Sequence, residues 1–225
     1  MDEPECIEEL FLNYEKDEVD IETFVSEYFP LERLRVRRLV LTSHTGSSDV
    51  IREVLKCLKP GILNSQLIRR EEGIFIEDLK NSGHWKYIKE LEIEEILEAG
   101  AAELLEGNDS RRVKVTLQEV EPADFNDLVD EFQKKSLNAS FDMKLITPLF
   151  WESIQKTSKK IEEQVWRKLR EQSDGCLQGS IIFHLETEPR SQNLAVFYME
   201  DKRLRGKIVS REDVERVDEL RVLFD

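Results

Sequence analysis

Residues 34–68 read LRVRRLVLTSHTGSSDVIREVLKCLKPGILNSQLI, and this stretch decides the fold class. It opens on an extended run, Leu34 to Thr42, rich in Val and Leu. Asp49 to Leu58 then sets Val50, Val54, Leu55 and Leu58 at helical spacing, with Ser48 or Asp49 as N-cap and Lys59-Pro60-Gly61 as the stop. A second extended run follows from Leu63 to Ile68. Strand, helix, stop and strand in that order make a βα unit.

The unit recurs along the chain. A helix is expected over Ile76 to Lys86, with Gly83 inside it, running into Leu91-Glu92-Ile93. Val113, Val115 and Leu117 alternate as one face of a strand, and so do Phe141, Met143 and Leu145. Between them Ala123 to Lys135 carries Phe125, Leu128, Val129 and Phe132 on one helical stripe, with Pro122 suited to the first turn. The β runs are centred near 38, 65, 92, 115 and 143, so successive units take roughly 23 to 28 residues. That length matches leucine-rich-type βα repeats, whereas the units of a doubly wound α/β domain usually run longer. The expected architecture is an α/β solenoid with a curved, largely parallel sheet and an outer helix layer. Its C-terminal third departs from the period. One long helix, Trp151 to Glu171, precedes antiparallel strands over Ser180 to Glu186, Leu194 to Met199 and Leu204 to Val209, which close the sheet, and a short final helix spans Ser210 to Val217.

The charge is unevenly spread. The 225 residues carry 48 acids and 33 Lys plus Arg, a net charge of −15. Twelve of the acids and a single base, Lys16, fall in residues 1–32, which leaves −4 on the rest. An acidic balance argues against nucleic acid or an anionic membrane as partner, since both need clustered Lys and Arg. No run is long and apolar enough to span a bilayer, and the acidic start is the reverse of a signal peptide. With three widely spaced cysteines, Cys6, Cys57 and Cys176, the chain reads as intracellular, in cytoplasm or nucleus. Leu10, Phe11, Tyr14, Ile21, Phe24, Val25, Tyr28 and Phe29 fall at helical spacing among the acids. Residues 1–32 are therefore expected to form an amphipathic acidic cap on a repeat domain of residues 33–225.

Groups able to do chemistry are few. The loop Ser43-His44-Thr45-Gly46-Ser47-Ser48 precedes a helix, yet it lacks the spacing and the lysine of a phosphate loop, so capping and turn formation are its expected roles. His44, His84 and His184 stand in no zinc spacing. Cys57, His84 and an acid could in principle meet as nucleophile, base and orienter, but Cys57 beside an apolar stripe is expected to act as a small hydrophobe. Acid pairs such as Glu94-Glu95 and Glu162-Glu163 read as solvated faces, and Trp85, Trp151 and Trp166 as core anchors. No catalytic, cofactor or metal residues are assigned, and no contact residues for a partner.

Two segments carry a resemblance. Leu58-Lys59-Pro60-Gly61-Ile62-Leu63 ends a helix, and Gly83-His84-Trp85-Lys86-Tyr87-Ile88-Lys89-Glu90-Leu91-Glu92-Ile93 enters a strand some twenty residues on. This resembles the FTH domain of nematode F-box proteins, and more loosely the likeness runs over residues 34 to 200. The resemblance implies a protein-recognition domain that is not an enzyme and needs no cofactor. In that family the domain follows an F-box that docks onto the adaptor of a cullin-based ubiquitin ligase. Residues 1–32 lack the Leu-Pro opening and closing Trp of an F-box. The expected function is thus binding of another protein. The alternatives are a ligase substrate receptor whose F-box is absent from this chain and, from a different class, a small α/β hydrolase or transferase built around Cys57, His84 or His184.

Overall fold

A computed structural model describes residues 6–14, 20–29, 33–43, 48–70, 76–149, 181–187, 192–200, 202–216 and 220–224. Among the described residues the chain is a mixed α/β protein in which nine strands form a mostly parallel sheet. The strands are β1 (Ile7–Tyr14), β2 (Val36–Ser43), β3 (Ser65–Arg70), β4 (Glu90–Leu97), β5 (Arg112–Leu117), β6 (Ser140–Leu145), β7 (Ile181–Glu186), β8 (Asn193–Glu200) and β9 (Arg203–Ser210). The helices are α1 (Ile21–Tyr28), α2 (Ser48–Lys56), α3 (Ile76–Asn81), α4 (Pro122–Gln133) and α5 (Arg211–Arg216). The strand order is β1-β2-β3-β4-β5-β6-β9-β8-β7.

Two units make up the chain. The first takes the described residues up to Ala99 with 107–110 and 114–116, and the second takes 100–106, 111–113 and the described residues from Leu117 onward. The boundary expected between residues 32 and 33 lies within the first unit.

In the first unit β1, β2, β3 and β4 are parallel neighbours. Ile7 faces Val36, Arg38 faces Ser65 and Ser65 faces Glu90, so the chain takes 29, 27 and then 25 residues to return to the same level. This is the period read from the sequence, extended one unit toward the N-terminus. There the expectation is corrected: Leu10, Phe11 and Tyr14 lie on β1, not on a helix. Among the described residues the first helix is α1, where Asp20 accepts from the Thr23 N–H at 3.0 Å as an N-cap.

Alternate strand residues divide cleanly. Leu39 and Leu41 of β2, Ile68 of β3 and Leu91 and Ile93 of β4 share one buried face with Gln66. Val50, Ile51, Val54 and Leu55 give α2 a wholly buried stripe. After it the last turn tightens, with Cys57 N–H donating to Val54 O at 3.0 Å and Leu58 N–H to Leu55 O at 3.2 Å. Gly61 then takes φ +84°, a left-handed conformation that a side chain resists. Leu34 N–H bonds Cys57 O and Lys59 N–H bonds Leu34 O, both at 2.8 Å, so this turn is stitched to the start of β2.

The helix expected over Ile76 to Lys86 stops early. α3 ends at Asn81, Gly83 turns the chain at φ +74°, and Trp85–Tyr87 form a separate 3-10 turn. Trp85 and Ile88 keep an i, i+3 spacing in the sequence, but the positive φ at Gly83 interrupts the hydrogen-bond ladder.

In the second unit β6, β9, β8 and β7 are antiparallel in that order, as the closing strands were expected to be. Phe125, Leu128, Val129 and Phe132 of α4 are buried, and Phe132 lies edge-to-face on both Phe141 of β6 and Phe197 of β8, which are tilted to each other, with centroids 4.7 to 6.2 Å apart. The cluster closes over Gly206 of β9, which faces both Phe141 and Phe197. The expected helix over Trp151 to Glu171 lies outside the described residues.

Candidate functional site

The two motif segments meet in the first unit. The Tyr87 ring lies 3.8 to 4.0 Å from where a Gly61 side chain would begin, and His84 Nε2 is 3.0 Å from Leu55 O at the end of α2. A carbonyl only accepts, so Nε2 carries the proton and Nδ1 is the bare nitrogen. Nδ1 has no hydrogen-bond partner, and the ring is 1% exposed. Burial therefore pushes the imidazole below its ordinary value, aided by the nearby Arg33 charge and opposed by the Leu55 bond. Trp85 is buried beside Gly107, as expected of an anchor, and Ser110 Oγ donates to Ile88 O at 3.1 Å.

Among the described residues Cys57 and His84 each bond a backbone carbonyl of α2, Glu53 O and Leu55 O. Cys57 Sγ donates to Glu53 O at 3.4 Å, and burial, then the Glu53 carboxylate, push its thiol up rather than toward thiolate. His184 lies exposed on β7, in register with Val196. His44 and the rest of the 44–47 loop, Cys176, Trp151, Trp166 and Glu162-Glu163 lie outside the described residues. Among the described residues no three His, Cys, Asp or Glu come together in a way that could hold a metal ion, and no helix is long and apolar enough to cross a membrane.

The other face of β1 to β4 has a different character. Register brings Glu9 beside Arg38 and Arg69 beside Glu94, with ion pairs of 2.6 and 2.9 Å. Between these two ranks runs the row Phe11, Val40, Leu67 and Glu92. Val40 and Leu67 are buried, Glu92 is paired with Lys114, and Phe11 at the end of the row is 67% exposed. An apolar strip is thus framed by charged pairs on a parallel sheet. Single exposed ion pairs of this kind stabilise little, about 0 to 1 kcal/mol each.

In the second unit one strand face is covered by the C-terminal 3-10 turn. Phe224, in the 3-10 turn Leu220–Phe224, sets its ring 5.7 Å from that of Tyr198, and Lys207 Nζ donates to Leu223 O at 2.8 Å. Arg203 grips Asp142 with two bonds, of 2.9 and 2.6 Å. The framed strip of the first unit was not found from the sequence. Its signal was the composition of Ile7–Tyr14, in which apolar residues occupy both strand parities, as at an edge packed from two sides.

Compared with protein-family models, curated proteins and solved structures, the chain matches none.

Proposed function

We propose that this chain is a non-catalytic protein-interaction domain, built as a leucine-rich-repeat-like βα solenoid with its helices in one outer layer and resembling the substrate-recognition region of F-box proteins. The observation that carries the reading is Phe11, 67% exposed at the end of the row it forms with the buried Val40 and Leu67, with the Arg38–Glu9 and Arg69–Glu94 pairs on either side. An apolar centre inside a polar rim is the usual anatomy of a protein interface. The solenoid reading is supported by the return of 25 to 29 residues between parallel neighbours. The reading without chemistry is supported by the Cys57 thiol, held toward its neutral form, and by the His84 lone pair, buried without a partner. The net charge of −15 favours a protein over nucleic acid as partner, in the cytoplasm or nucleus.

The test is capture with the full chain as bait, followed by titration of the recovered protein against purified wild type and the double variant Arg38→Glu, Arg69→Glu. Loss of at least about tenfold in affinity, roughly 1.4 kcal/mol, is expected for the variant. Equal affinity removes the strip as the binding surface, and recovery of no protein removes the reading itself.

A further inference from the structure

We propose that the strand face bearing Tyr198, Arg205 and Lys207 is a docking site for an acidic segment of a partner protein that carries an aromatic residue, and that the turn Leu220–Phe224 is its resident stand-in. The site shares no residue with the Phe11 strip. It extends the protein-binding reading to a second surface, in the second unit.

The face is basic in an acidic chain. β9 sets Arg203, Arg205 and Lys207 at alternate positions, so all three leave the strand on one face, beside Tyr198 and Glu200 of β8 and Asp142 of β6. Acid is scarce there. Arg203 takes both oxygens of Asp142, and the Tyr198 hydroxyl donates to Glu200. Arg205 Nε stands 3.8 Å from Asp142 Oδ1, beyond hydrogen-bond reach, and is buried with no hydrogen bond of its own. Lys207 pairs with no carboxylate among the described residues.

The turn offers these two cations neutral oxygens only. Lys207 Nζ donates to Leu223 O at 2.8 Å and Arg205 to Phe224 O at 3.5 Å, while the Arg205 guanidinium and the Phe224 ring both lie against Tyr198, at 5.4 and 5.7 Å. A carboxylate in place of either carbonyl adds the opposite charge, and its two oxygens match the guanidinium fork. The turn is also shallow. Val222 is 60% exposed and Leu223 and Phe224 are half-buried, whereas Tyr198 under the Phe224 ring is 2% exposed. A segment that buries so little apolar surface lifts at small free-energy cost. Leu220–Phe224 thus displays what the face accepts, a ring on Tyr198 and oxygens on two cations, and a segment with the same ring and added carboxylates displaces it.

The probe is a fluorescein-labelled peptide, Asp-Glu-Val-Leu-Phe-Asp-Glu-amide, titrated against the full chain by anisotropy at about 0.15 M salt, where charges beyond about 8 Å are screened and the net charge of −15 does not repel it from afar. It should bind at least about tenfold more tightly than the same core with Lys at each acidic position, and than a form with Ala in place of Phe. The resident turn lowers the apparent affinity by the fraction of chains in which it is lifted, so Phe224→Ala should bind the peptide about tenfold more tightly than wild type. Lys207→Met, which keeps the stem and removes the charge, should weaken it about fivefold. Hydrogen exchange on the wild-type chain gives a reading that needs no variant: saturating peptide should speed exchange of the 220–224 amides. Equal binding of the acidic and basic peptides, a Phe224→Ala chain that binds no better than wild type, indifference to Lys207→Met, or unchanged exchange at 220–224 each overturns the proposal. None of these results touches the Phe11 strip, whose test reads Arg38 and Arg69.

Discussion

Gly206→Ala adds one methyl group where the second unit has no room for it. The new Cβ would stand 2.7 Å from Phe141 Cζ and 2.8 Å from Phe132 Cε1, and closer still to Phe141 Cε1. Carbon atoms in contact prefer about 3.5 to 4.0 Å, so the Phe141 ring has to withdraw by roughly an ångström or more. It cannot do so alone, because Phe132 packs edge-to-face on it, Phe197 packs against it at a tilt, and all three rings are almost wholly buried. Overpacking of this kind costs about 1 to 3 kcal/mol, and weakening two aromatic contacts adds about 0.5 to 1.5 kcal/mol each. Alanine's smaller loss of backbone freedom on folding returns about 0.4 to 1 kcal/mol. The net is about 3 kcal/mol, or roughly 6 to 12 °C in melting temperature for a chain of this size. Thermal unfolding followed by circular dichroism reads it directly. The double variant Gly206→Ala, Phe141→Leu should recover much of the loss, because the narrower side chain vacates the space the methyl group needs. A single variant melting within about 2 °C of wild type, or a double variant no better than the single, would refute the packing argument.

Other perturbations read separate parts of the chain. Gln66 is 1% exposed between Leu39 and Leu91, and neither atom of its amide group has a partner, so Gln66→Leu should stabilise the protein by about 1 to 3 kcal/mol in urea unfolding; a loss of stability would show that the amide is satisfied after all. His84 is held neutral by burial, beside the Arg33 charge and with Leu55 O facing its Nε2. The unfolded chain takes up this proton near pH 6.5 and the folded chain only at lower pH, so stability should be intact above about 6.5 and fall as pH drops below it. His84→Gln should flatten that segment of the stability profile, and an unchanged slope would remove His84 as its source. Asp124 accepts the Ala101 and Ala102 N–H groups at 2.6 and 3.1 Å, so Asp124→Ala should cost about 3 kcal/mol in denaturant unfolding, and Asp124→Asn less, since an amide oxygen still accepts.

The strands with one buried face were legible in the sequence, because burial imposes a period of two. Val113, Val115 and Leu117, and Phe141, Met143 and Leu145, are buried alternately in β5 and β6 as their spacing requires. β1 was illegible for the opposite reason. β1 carries apolar residues at both parities, and Leu10, Phe11 and Tyr14 imitate the i, i+1, i+4 spacing of a helix. The framed strip was further out of reach, since it exists only through register: Glu9 meets Arg38 and Arg69 meets Glu94 across a full βα unit. Local pattern finds elements, but a face shared by several strands appears only once their pairing is known.

The most recognisable residues are therefore not the ones to mutate in search of function. Leu58 to Gly61 and Gly83 to Ile88 stand out in the sequence because they sit at a fixed distance, and the structure supplies the reason: the Tyr87 ring covers Gly61, His84 bonds the end of α2, and Lys59 N–H ties the turn to Leu34 O. Each contact holds one βα unit to its neighbour. A substitution there lowers stability first and any binding only through it, so lost binding in such a variant says nothing about the surface. Phe11 is the informative position. Its ring is mostly in solvent, and replacing it removes little of the core while altering what the β1 edge presents.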